Sequence, residues 1–172
     1  DVGDKGDTGD KGDKGDIINP TLAYQGRLGT QDILTSTVTT IGFSSNNTID
    51  NNYLIHPGNG TFEVVADSTF LINTSIFAEN MDAVAQGIWY GIMADPTISF
   101  LPATASVLSA GQLNILNFSY VLSMSAGQVF QFVVQVNTTD VIKLWREASG
   151  PTSIPGSDSG NSTYLQIIRI GN

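Results

Sequence analysis

Glycine stands at every third position at the start of the chain: Gly3, Gly6, Gly9, Gly12 and Gly15, without a miss. That spacing is what a collagen triple helix demands, because only glycine fits at the axis where three chains meet. A lone strand of this kind has no internal hydrogen bonds, so the repeat constrains assembly before it constrains any fold. Whatever follows Asp16 is expected to work as a homotrimer.

Aspartate fills every X position after these glycines, Lys5, Lys11 and Lys14 fill most Y positions, and no proline occurs before Pro20. Proline would pre-set the extended backbone and lower the entropy lost on winding. Here charge takes its place, each exposed Lys–Asp pair contributing about 0.2–1 kcal/mol. The competing account is a charged, disordered linker. Proline-free, Asp/Lys-rich repeats of this type resemble the collagen-like proteins of bacteria and giant viruses. Collagen Y-position lysines are also where hydroxylation and sugar attachment occur, so Lys5, Lys11 and Lys14 are either modification sites or plain charge partners. At roughly 3 Å per residue the repeat spans on the order of 50 Å, which reads as the end of a longer stalk.

The remainder has one domain's length of chain. Of 16 acids and 7 bases in all, six and three lie in the repeat, leaving ten against four. That acidic balance argues against a nucleic-acid face or a polybasic membrane patch. No cysteine is present, so disulfides and thiolate metal sites are excluded. Apolar runs fall well short of a membrane span.

Two-residue alternation runs through the chain, and helical periodicity is hard to find. Strands are expected over 22–28, 35–44, 61–65, 69–78, 87–93, 112–122, 129–136 and 163–170. In 69–78, Phe70, Ile72, Thr74 and Ile76 share one face and Leu71, Asn73, Ser75 and Phe77 the other. In 129–136, Phe130, Phe132, Val134 and Val136 oppose Gln131, Val133 and Gln135. His56-Pro57-Gly58 and Pro155-Gly156 read as turns. Eight to ten short strands punctuated in this way imply an all-β sandwich or jelly roll.

The runs 60–65 (GTFEVV) and 70–76 (FLINTSI), and the strand–turn–strand unit 122–130 (LSMSAGQVF), resemble the central strands of C1q-like domains. The ending 162–170 (STYLQIIRI) resembles the last strand of C1q and tumour-necrosis-factor domains. The resemblance implies a ten-stranded C1q/TNF-like jelly roll that forms a homotrimer on the stalk axis, with Tyr164 matching the axial tyrosine of the last strand. The division is then a stalk end at 1–16, a linker at 17–21 and a head at 22–172. The long loop 143–161 and the missing C1q cysteines depart from the family and put its ligand surfaces in doubt.

Site candidates are few. One histidine, His56, reads as a surface turn residue, so hydrolase triads and zinc sites lack material. No cofactor, metal or catalytic residue is assigned; Asp158 and Asn161 are oxygen donors in a polar loop. Sequons begin at Asn46, Asn59, Asn73, Asn117, Asn137 and Asn161, a number that an Asn/Thr-rich chain also generates by chance. Trp145 beside Arg146 either stacks on a ligand or packs at an edge. The trimer interface is expected at Tyr164, Ile168, Phe118 and Tyr120, whose strands carry apolar residues on both faces. The function that follows is a non-enzymatic surface fibre protein on a virion or a cell or spore. Its trimeric head nucleates the stalk and presents a recognition surface for a glycan or protein receptor. The alternative is a structural trimerisation cap without a ligand; an enzyme at the subunit seams has no sequence support.

Overall fold

Two-residue alternation, bounded by turn residues, governs the backbone throughout. The computed structural model describes residues 19–28, 33–43, 49–58, 60–94, 99–144 and 163–171. The glycine repeat with Lys5, Lys11 and Lys14, the stretch 145–162 with Trp145, Arg146 and Asp158, and the sequon asparagines 46, 59 and 161 lie outside them.

Eleven strands occur among the described residues: β1 Thr21–Arg27, β2 Thr39–Thr40, β3 Leu54–Gly58, β4 Thr61–Val64, β5 Ser68–Asn80, β6 Gln86–Ala94, β7 Ser99–Leu108, β8 Leu113–Met124, β9 Val129–Val136, β10 Ile142–Leu144 and β11 Tyr164–Gly171. They form two antiparallel sheets. In the first, β1, β11 and β5 lie in order, β8 covers the far flank of β5, and β10 extends the near flank. In the second the order is β3-β4-β9-β6-β7, with β2 also on β9. The architecture is the jelly-roll sandwich expected from the strand pattern. The chain enters β1 at Thr21, opposite Arg169 of β11, at the same end as Phe70 and Leu122.

Expected and observed strands agree most closely where alternation is cleanest, as in β5 and β9. Three strands were not foreseen: β3, β7 and β10. The 35–44 stretch contributes only the two residues of β2, because its Thr-rich backbone joins β9 just at Thr39 and Thr40. Residues 35–37 instead form local hydroxyl contacts, including Thr35 Oγ1 with Thr37 Oγ1 at 2.7 Å.

The core lies between the sheets. Phe70, Ile72, Ile76 and Ala78 of β5 face Phe130, Phe132, Val134 and Val136 of β9, all buried. Each fully buried large side chain contributes about 1.5–3 kcal/mol. Aromatic contacts tie the layers at two places. Tyr24 of β1 meets Phe62 of β4 edge-on at 4.8 Å, and Tyr90 of β6 meets Phe118 of β8 at 4.8 Å. The buried amide of Asn80 closes the β5–β6 connection by donating to the carbonyls of Val84 (2.8 Å) and Leu108 (3.2 Å).

His56 overturns its reading as a surface turn residue. It lies in β3, an edge strand that tolerates Pro57 because its outer N–H positions need no ladder partner. Its ring sits 4.6 Å from Phe62 and 5.3 Å from Tyr24, centroid to centroid. Both ring nitrogens are withdrawn from solvent without a hydrogen-bond partner. Burial therefore holds its pKa below the ordinary 6.5.

The folded state then binds this proton less readily than the unfolded chain does. Stability from this group is complete above the unfolded pKa near 6.5 and declines as the pH falls through it toward the lowered folded value. Thermal unfolding followed between about pH 7.5 and about pH 5 should show Tm falling with acid. His56→Phe should flatten that dependence; an unchanged slope would assign it to other groups. A second prediction concerns Gly60, whose φ is +72° and whose missing Cβ leaves room for the Ile41 carbonyl. Gly60→Ala should lower stability by about 1–3 kcal/mol in urea titration.

Candidate functional site

Strand alternation sends half of the first sheet's residues away from the core, and that outward face carries the apolar side chains the core does not use. Register aligns them in rows across β11, β5 and β8. Ile168, Leu71 and Val121 form one row near the end where the chain enters. Tyr164, Ser75 and Asn117 form another, and Phe77 lies beside Ile115 further along. Between the apolar rows runs a polar belt: Ser119 Oγ donates to Asn73 Oδ1 at 2.6 Å, and Ser75 Oγ donates to Asn117 Oδ1. The face is thus two apolar bands separated by a belt of serines and asparagines bonded to one another.

These side chains are conspicuous for their exposure in the single chain. Ile115 is 54% exposed, Val121 60% and Tyr164 39%. Fully exposed large hydrophobes in isolation need no explanation, but grouped on one sheet face they mark an interaction surface.

The four residues expected at a trimer interface are divided by the structure. Tyr164 and Ile168 lie on the outward face. Phe118 and Tyr120 have the opposite parity in β8 and turn inward. Phe118 packs in the core against Tyr90, and its ring lies 5.1 Å from that of Tyr120. The Tyr120 hydroxyl pairs with Thr104 Oγ1 of β7. Both rings therefore sit on the inward side of β8, toward β6 and β7. The β8 residues that join Tyr164 outside are Leu113, Ile115 and Val121. Alternation revealed both faces of this strand in the sequence; which face met the core required knowing its neighbours.

Among the described residues, no three His, Cys, Asp or Glu side chains are placed to hold a metal ion. Tyr90 stays a neutral phenol: burial raises its pKa, a hydrogen bond with Ser106 opposes the rise, and the nearby Tyr120 adds to it. At the chain-entry end the Arg169 guanidinium lies 4.1 Å over the Tyr53 ring, a cation–π contact that closes this end of the sandwich. The sequence reading also passed over Trp89, which stands outward on the second sheet between Ile88 and Tyr90, both buried. Its odd position in the alternation was the available signal.

No protein-family model matches the chain, and no curated protein matches it in sequence. Solved structures do. The crystal structure of murine APRIL at pH 8.5 aligns with a TM-score of 0.56 and 13% identity, over 88% of this chain and 99% of that one. The structure of Eiger TNF from S. frugiperda aligns with a TM-score of 0.60 and 10% identity, over 90% of this chain and 95% of that one. Identities so low speak for the fold alone: the chain is an all-β sandwich with the TNF-like jelly-roll arrangement.

Proposed function

We propose that this chain is the trimeric head of a surface fibre, placed at the end of a collagen-like stalk and presenting a recognition surface to a glycan or protein receptor. The setting that fits the Asp/Lys repeat is the outside of a virion, cell or spore. The observation that carries the reading is the outward face of the first sheet, with Ile115, Val121 and Tyr164 exposed and no core of their own to cover. A glycine repeat that needs three chains stands only a few residues ahead of β1.

A closed three-fold ring needs two different patches on each copy, one to cover and one to be covered. The outward face supplies the first. The β7–β8 edge, where Tyr120 is partly exposed and bonded to Thr104, supplies the second. Each side chain buried in such a contact contributes about 1.5–3 kcal/mol, set against an association cost of about 4–15 kcal/mol. Bringing three entry strands together then removes most of the entropy that opposes winding of the stalk. In this reading the head aligns the chains and the stalk follows.

Sedimentation of the 172-residue chain should give a trimer. Ile115→Asp or Tyr164→Asp places a carboxylate in the apolar contact and should weaken association by about 100-fold or more. Val65→Asp, on an exposed residue outside this face, should leave the trimer intact. A wild-type monomer, or a stable trimer in both face variants, would sink the assignment.

A further inference from the structure

The second sheet also has an outward face, and one feature on it is built rather than incidental. Trp89 of β6 is 39% exposed, and the indole lies along the sheet over Gly87. A Cβ on Gly87 would stand 3.5 Å from Cη2 of the indole and 2.7 Å from the side-chain nitrogen of Asn137. The missing side chain leaves room for the Asn137 amide, and the indole tip lies within ordinary van der Waals range of the same glycine. The cross-strand neighbours of Trp89 are Ala105 and Gln135, and two residues further along its own strand stands Gly91. None of these three covers the ring, and Val107, opposite Gly87 and 73% exposed, adds an apolar neighbour on the same face.

The rim of this platform is made of amides and hydroxyls. Gln135 Nε2 donates to the Ser36 carbonyl at 3.1 Å, which leaves its Oε1 as an acceptor. The Thr139 hydroxyl is fixed against Ser36, donating to Oγ at 3.0 Å and accepting from the backbone N–H at 3.1 Å. Asn137 is exposed. None of the residues that register sets beside Trp89 carries a charge, in a chain whose net charge is −9. The platform lies toward the Gln86 end of β6, which is the Asn80 end of the first sheet and therefore opposite the Thr21 entry.

We propose that Trp89 is the stacking platform of a binding site for an uncharged saccharide. The C–H face of a pyranose lies on an indole, while its ring hydroxyls reach outward at the height of flanking amides. Gln135 and Asn137 are those amides. A charged ligand would need a counter-charge that this surface lacks. A protein partner would use a packed pocket for its aromatic anchor, whereas Trp89 stands 39% exposed beside Ala105 and Gly91. The inference rests on the fibre-head reading for its avidity: one shallow site binds weakly, and three on one head bind a repetitive glycan together.

The test uses the full chain with Trp145→Phe as background, so that Trp89 is the only indole. The probes are uncharged oligosaccharides of glucose, mannose, galactose and N-acetylglucosamine, each beside a sialylated or sulfated counterpart. Binding is followed by indole fluorescence and by saturation transfer to the sugar C–H protons. At least one uncharged series should bind, with Trp89→Ala weakening it at least about tenfold and Trp89→Phe keeping part of it. Gln135→Ala should weaken the same sugar in a fold whose platform is intact, and Val65→Ala should change nothing. No binding by any uncharged probe, binding only of the charged counterparts, or equal binding by Trp89→Ala overturns the proposal. A wild-type trimer that binds no sugar defeats this site and leaves the fibre head standing. A monomer that binds through Trp89 does the reverse.

Discussion

The edge-on contact of Tyr24 with Phe62, at 4.8 Å, joins the first strand after the glycine repeat to the opposite sheet. Two features of the local backbone make it possible. A register shift between Leu22 and Tyr24 turns both Ala23 and Tyr24 into the core. Gly26 then leaves the space above its Cα to the end of the Tyr24 side chain, which any Cβ would occupy. Beyond its ladder to β11, β1 is tied by the bond from the Asp50 N–H to the Ala23 carbonyl, by the Tyr24–Ile49 bridge and by the rings of Phe62 and His56. The position at which the chain enters the head depends on this cluster around Tyr24.

The same cluster accounts for the unusual histidine. Phe62 is surrounded by Tyr24, Phe130, Phe132 and His56, and an aromatic ring is what that corner requires. Imidazole fills the shape but brings two polar nitrogens that find no partner. Such groups are tolerable while neutral and costly once charged, so packing demand and acid sensitivity come from one residue choice.

How much of this could be read in the sequence depended on the strand. β9 is legible because Phe130, Phe132, Val134 and Val136 alternate onto the core and both neighbours, β4 and β6, enforce it, with Val133 buried as well on the other face. β3 and β7 were not legible, and the reason is shared: Pro57 and Pro102 sit inside them, and proline reads as a break. Both are edge strands, where one flank makes no ladder bond and proline removes nothing. The candidate face was half legible. Tyr164 and Ile168 were legible because β11 carries apolar residues on both faces and resembles the last strand of tumour-necrosis-factor domains. In β8 alternation shows two apolar faces without saying which meets the core; register with β5 puts Phe118 and Tyr120 inside and Ile115 and Val121 outside. Trp89 escaped because a tryptophan among buried isoleucines looks like core until register fixes its parity.

The two outward faces differ for a physical reason that bears on what each can do. On the first sheet the bare apolar rows span three strands and alternate with serines and asparagines that bond to one another, so a flat protein surface meets apolar bands over most of its area. On the second, Trp89 and the exposed Val107 stand among glycines, amides and hydroxyls. Too little apolar area is gathered there to repay the association of two proteins, yet a ring-sized ligand needs no more than one platform and two hydrogen-bonding partners. If three copies close through the first face, the second sheets necessarily point away from the axis. The core between them fixes that opposition, since each strand can turn only one face inward; in the proposed trimer, assembly then falls to the first sheet and recognition to the second.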